Sequence, residues 1–156
     1  MKMSPDDIYN VVLEYLDLVE KGKESAEDNL KALEVVLDKL ALARHFIDYK
    51  FDETDYPDEP RKNYAHGREL VAKRFPEFGF YHIPNSVTDK VGEAEIMMGD
   101  AVDDVADIAR DLSAVDWRWK KHSPDDALFH FEILYDGHWG DHLRDLQYYL
   151  HHFKNQ

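Results

Sequence analysis

The sequence predicts an all-α protein, a single-domain up-and-down bundle of about five helices over residues 1–156. Three observations predict it. Apolar residues recur at intervals of three and four along most of the chain, the period of a helix with one buried face. The tetrapeptide Ser-Pro-Asp-Asp occurs at Ser4 and again at Ser123. In it the serine caps a helix, the proline suits the first turn, and the acids favour the positive end of the dipole. Most of the intervening connections are short, which makes successive helices antiparallel neighbours.

The first helix opens at Ser4-Pro5-Asp6-Asp7, carries Ile8, Val11, Val12, Tyr15, Leu16, Leu18 and Val19 on its apolar face, and ends at Gly22. Ser25 and Asp28 open the second, where Leu30, Leu33, Val36, Leu37, Leu40, Ala41, Arg44 and Ile47 continue the pattern to about Tyr49. Residues 48–60 are acidic and hold two prolines, Pro57 and Pro60, so they read as a solvated loop. A shorter third helix over 61–74 follows from Tyr64, Leu70, Val71 and Phe75, with Pro76 as its stop. Residues 75–84 crowd aromatic rings between Gly and Pro and read as an ordered loop laid over the core, with a lid or a ligand-stacking loop as the functional alternative.

The fourth helix is expected over 89–122, regular from about Met97. Met97, Ala101, Val105, Ile108, Leu112, Val115 and Trp119 form its main stripe, while Val102, Ala106 and Ala109 form a small-residue face. The fifth runs from Ser123 to about His152, and His151 and His152 look like surface capping groups. Facing stripes of these two helices are expected to bury Ile108, Leu112, Trp119, Phe131, Tyr135, Trp139 and Leu143.

Composition limits the functional classes. With 44% hydrophobic content the chain has enough apolar residues for one core. A formal charge of −14 repels a phosphate backbone and an anionic bilayer, so neither nucleic acid nor membrane is an expected partner. No run of 18 apolar residues and no apolar signal region stand in the sequence, which predicts a cytoplasmic protein. The absence of cysteine excludes disulfides, thiol nucleophiles and thiolate metal sites, so any metal is held by nitrogen and oxygen.

Two patterns carry chemistry. At about 100° per residue, Leu128, Phe131, Tyr135, His142, Leu146, Tyr149 and Phe153 share a sector, with His138 on its flank. His138 and His142 are four apart, the spacing with which two imidazoles chelate one ion; two hydrogen-bonded core histidines fit the same spacing. Gly137 and Gly140 beside them each cost a helix interior about 1 kcal/mol relative to alanine, more readily tolerated where another group approaches closely. On the fourth helix Asp100, Asp103, Asp104, Asp107 and Asp111 form an acidic stripe whose mutual repulsion calls for compensation. Solvation, Arg110 and Arg118, an arginine or histidine from another helix, or a divalent cation would each supply it. A hairpin through residues 120–123 would bring Asp104 and Asp107 to the level of His138 and His142.

Val102-Asp-Asp-Val-Ala-Asp-Ile-Ala-Arg-Asp-Leu112, Ala127-Leu-Phe-His-Phe131 and His138-Trp-Gly-Asp-His142 resemble a bacterial family catalogued as a domain of unknown function, DUF5063. That family is marked by an Asp-Asp-Leu-Ala-Asp-Ile-Tyr-Arg-Asp-Leu helix and a Phe-Glu-Ile-His-Trp-Gly-Arg-His helix. The resemblance spans residues 91–152 and reaches weakly to 78–81. It covers Asp103, Asp104, Asp107, Asp111, His138, Trp139, Gly140 and His142, and departs at Ala109, Asp136, Gly137 and Asp141. It implies an all-helical fold and no assigned activity.

Two functional readings follow. The first is a small acidic, non-enzymatic protein-interaction module without a cofactor, in which Asp104, Asp107, Asp111, His138 and His142 form a buried polar network that fixes how the last helices meet. The second is a divalent-metal bundle protein, a hydrolase or transferase, with His138 and His142 as ligands and His45 or a carboxylate of Asp104 or Asp107 as a third. His45 with His138-x-x-x-His142 is similar to the metal triad of bacterial helical-bundle proteins of the DinB type, which implies the same ligand set. No phosphate loop and no Ser-His-Asp constellation of defined spacing is present, so no catalytic residue is assigned.

Overall fold

The computed structural model describes residues 1–84 and 87–155 and is 65% helix. Helix α1 is Pro5–Glu20, α2 is Ala26–Ala43, α3 is Tyr64–Arg74, α4 is Ala101–Lys121, α5 is Pro124–Leu134 and α6 is Gly140–Lys154. A 3-10 turn, Arg44–Phe46, prolongs α2, so its regular part stops short of Tyr49. A π turn, Tyr135–Trp139, joins α5 to α6 in one continuous rod. The serine caps fall where the sequence puts them: Ser4, Ser25 and Ser123 each accept the backbone N–H three residues on.

Four long rods form a ring of antiparallel neighbours. Lys39 reaches Glu14 between α1 and α2, and Tyr15 donates to the Val105 carbonyl at 2.9 Å while Tyr9 donates to Asp116 at 2.7 Å between α1 and α4. Lys154 meets Glu34, Gln147 meets Asp38 and Arg44 meets Asp136, so α2 runs against the α5–α6 rod. Helix α3 lies outside the ring against α4 and α1. Its Arg74 donates to the Glu20 carbonyl at 2.7 Å, satisfying an orphan acceptor at the end of α1. A Cβ at Gly22, which has φ of +72°, would collide with that arginine. Among the described residues no helix is long and apolar enough to cross a membrane.

The fold is mainly helical rather than purely so. Residues expected as a loop and as the start of the fourth helix form an antiparallel hairpin, β1 Phe80–Pro84 with β2 Ile96–Asp100. The alternation of Phe80-Tyr-His-Ile83 suits a half-covered strand, and β2 supplies the backbone partners that a loop would lack. Gly99 stands opposite Tyr81, and a Cβ there would lie 2.4 Å from the tyrosine ring. Helix α4 therefore begins only at Ala101, because the Asp100 carboxylate accepts the N–H groups of Val102 and Asp103 and caps it. Met97 belongs to the strand, where it is exposed.

The expected core residues Ile108, Leu112, Phe131, Trp139 and Leu143 have no exposed surface. Trp119 and Tyr135 are only half-buried at the rim, stacked with Tyr9 and lying under Arg44 respectively. Residues 48–60 form no regular element, yet they are anchored across the α4–α5 turn. Asp52 accepts from Ser123 Oγ at 2.6 Å, and Tyr56 stacks on His122 at 4.0 Å.

Candidate metal centre

The centre lies where α4 faces the π turn and the start of α6. Gly140 N–H donates to the Tyr135 carbonyl, the five-residue bond of a π turn. A Cβ at Gly140 would sit 2.5 Å from that oxygen, so the position needs glycine; Gly137 meets no such obstacle. Such a turn widens the helix at a single point, a device frequent at functional sites. Here it presents His138 and His142 together, ring centroids 4.8 Å apart.

Each imidazole is held through Nδ1 by a different buried aspartate of α4. His138 Nδ1 lies 2.6 Å from Asp111 Oδ2 and His142 Nδ1 lies 2.8 Å from Asp104 Oδ1. An ionised carboxylate only accepts, so in both rings Nδ1 carries the hydrogen. The remaining nitrogens turn toward a third buried aspartate: His142 Nε2 is 3.4 Å from Asp107 Oδ2 and His138 Nε2 is 4.0 Å from Asp107 Oδ1. Donor atoms of Asp107, His138 and His142 lie within 4.8 Å of one another.

Two groups complete the surroundings. The Tyr81 hydroxyl, delivered by the hairpin, donates to Asp104, and burial together with that carboxylate pushes its phenol well above the ordinary tyrosine range. The Arg110 guanidinium is 2.7 Å from Asp107 Oδ1 and donates to His138 Nε2 at 3.4 Å. A guanidinium has nothing to accept with, so His138 Nε2 accepts this bond with its lone pair. The hydrogen bond to Asp104 raises the His142 pKa, against burial. Burial pushes the Asp107 carboxyl up, with His142 and Arg110 pulling the other way.

The structure places Asp104, Asp107 and Asp111 beside His138 and His142. His45, in the 3-10 turn, is exposed and does not join the group. The other aspartates of the stripe are compensated within the protein. Asp100 pairs with Arg68 at 2.6 Å, and Asp103 accepts from Tyr64 and faces Arg68. Tyr64, Arg68 and Tyr81 escape a reading by helical period because they come from α3 and the hairpin. A Phe-Gly-Phe-Tyr81 sequence was the one available signal for Tyr81.

The sequence profile of one family, described as a domain of unknown function, matches residues 3–156. The chain belongs to the DUF5063 family. Membership extends over essentially the whole chain, well beyond the 91–152 segment in which the motif resemblance lies, so α1 to α3 belong to the DUF5063 domain as well. No curated protein and no solved structure matches this DUF5063 chain.

Chemically, the arrangement offers two imidazole Nε2 atoms and one carboxylate on one side of a wall of fixed aspartates. Carboxylate–histidine pairs of this kind orient a ring and raise its basicity as a metal ligand. Ligands about 2.0–2.1 Å from a tetrahedral zinc lie roughly 3.3 Å apart, so the group would contract modestly around an ion.

Proposed function

We propose that the protein is a cytoplasmic divalent-metal-binding helical protein, with Asp107, His138 and His142 as ligands and Asp104, Asp111 and Tyr81 as the groups that hold them. One observation carries this reading: both Nδ1 atoms are occupied by buried carboxylates while both Nε2 atoms face the same third carboxylate. A purely structural pair has no need to turn the same nitrogen of each ring toward one carboxylate. Two nitrogens and one oxygen suit Zn²⁺, Mn²⁺ or Fe²⁺ and leave coordination positions open, the condition for Lewis-acid or hydrolytic chemistry.

A second reading, the buried network of a non-enzymatic interaction module, is favoured by Arg110. Its guanidinium already supplies a positive charge to Asp107. The two readings separate by experiment. Elemental analysis of untagged, chelator-free protein is expected to show about one metal ion per chain. Adding Zn²⁺ or Mn²⁺ at a hundredfold excess over Kd should stabilise the fold by about 2.7 kcal/mol, a gain that disappears in the His138→Gln, His142→Gln double variant. A melting temperature indifferent to metal, with the double variant simply less stable, would overturn the metal reading in favour of the network.

A further inference from the structure

A groove of about 850 Å³ runs between α1, α3 and α4, within the size range of small-molecule sites. Leu13, Leu70, Ala106 and Ala109 line it, and Lys62 and Lys120 stand at one end. The gap is not loose packing. Tyr9 stacks on Trp119 at 4.2 Å and Tyr15 reaches the Val105 carbonyl, fixing the spacing of α1 and α4 at two levels. Tyr64 under Arg110 and Arg74 on the end of α1 fix α3 in the same way. Ala109 is left partly open on the groove floor by this bracing.

Charge sets the orientation of an occupant. Along the α1 wall Glu14 is bound to Lys39 and Asp17 to Lys21. Lys120 is paired with Asp116. Lys62 makes no hydrogen bond and no close ion pair among the described residues, and the Asp116 and Glu59 carboxylates act on it only at longer range. An anionic group is drawn to that end rather than to the α1 wall, whose acids tie up Lys39 and Lys21, while an apolar body covers the leucine and alanine floor.

We infer that this groove is a binding site for a small molecule with an apolar body and one anionic head, a carboxylate or a phosphate, seated at Lys62. The inference does not depend on the metal reading. A dye of this chemistry, 1-anilinonaphthalene-8-sulfonate, is expected to bind the full chain saturably at about one per molecule. Lys62→Glu should weaken it at least tenfold. Ala109→Trp, which fills the floor, should abolish it without loss of near-ultraviolet circular dichroism. Should Ala109→Trp unfold the protein, Lys62→Glu decides alone, since Lys62 has no hydrogen bond or close ion pair to lose. The uncharged analogue N-phenyl-1-naphthylamine should bind at least tenfold more weakly. Displacement by decanoate or by decyl phosphate identifies the head group. Unchanged dye binding in Lys62→Glu, equal binding of the neutral analogue, or displacement by neither lipid would overturn the site and place the dye on the exposed row of Phe80 and Met98 instead.

Discussion

Among the described residues, two clusters have a histidine that leans on aspartate, and they differ in what the second ring nitrogen sees. At the α4–α5 turn, His122 Nδ1 lies 2.8 Å from Asp126 Oδ2, and Arg118 Nη1 donates to the same oxygen at 3.2 Å. His122 is then sealed: Tyr56 stacks on one face, the Trp117 edge meets the ring, and its side chain is 1% exposed. Its Nε2 is buried with no partner among the described residues. In the central cluster the same Nδ1–carboxylate bond leaves Nε2 facing a third carboxylate, on side chains 36% and 23% exposed. Spacing treats the clusters alike, since His122, Asp126 and His130 are also four apart. A buried Asp–His pair is thus a structural unit in itself; in the central cluster the two Nε2 atoms also converge on one carboxylate where solvent reaches them.

The largest effect that would sharpen this contrast belongs to the turn. Asp126→Ala removes the acceptor shared by His122 and Arg118; loss of one partner in a buried charged group costs about 3–5 kcal/mol. The lower end is expected, because Arg118 Nε keeps Glu59 at 2.9 Å. Chemical denaturation should show this loss while metal-dependent stabilisation survives. Disappearance of that stabilisation in Asp126→Ala would mean that the two clusters are one device.

A smaller effect separates them by pH. The folded-state pKa of His142 is raised, chiefly by its bond to Asp104. Its contribution to stability is therefore complete below the unfolded imidazole value, about 6.5, and is lost as pH rises from there through the raised folded value. Chelator-treated protein should lose stability over that window, by about 1.4 kcal/mol for each unit by which the pKa is raised, and His142→Gln should flatten the slope. With metal bound the sign reverses, because protons compete with the ion for the imidazole. A slope of the same sign with and without metal would show that His142 is not a ligand.

How much of this was legible depends on the period each residue obeys. The serine caps, the apolar stripes and the hairpin of the last two rods follow from local pattern. The level match of Asp104 and Asp107 with His138 and His142 follows from hairpin geometry alone. The β-hairpin was hidden because Met97 fits the helical phase of α4; the cap by Asp100 and the close approach of Tyr81 to Gly99 are tertiary facts. The π turn was half visible. Gly140 marked a close approach, but which carbonyl approaches depends on the widened backbone. Tyr81 and Arg68 reach the acidic stripe from distant segments, beyond any helical period.

The smallest expected effect is the most discriminating. Burial raises the Asp107 pKa above that of the unfolded chain, so near neutral pH its ionised form is disfavoured in the folded state relative to the unfolded one. Asp107→Asn removes this cost and keeps an oxygen to accept from Arg110, while its amide nitrogen takes the place of Oδ2 and faces His142 Nε2. In metal-free protein the change is expected to alter stability by less than about 0.5 kcal/mol, within the range of innocuous substitutions, or to raise it slightly. The same variant should lose the metal-dependent shift. If Asp107 instead serves Arg110 as the keystone of a structural network, Asp107→Asn weakens an ion pair on a side chain only 10% exposed. Stability should then fall by more than 1 kcal/mol with or without metal. Melting curves of Asp107→Asn in chelator and in Zn²⁺ set these outcomes side by side, and a large loss in chelator would show that the central cluster differs from the turn cluster only in its exposure.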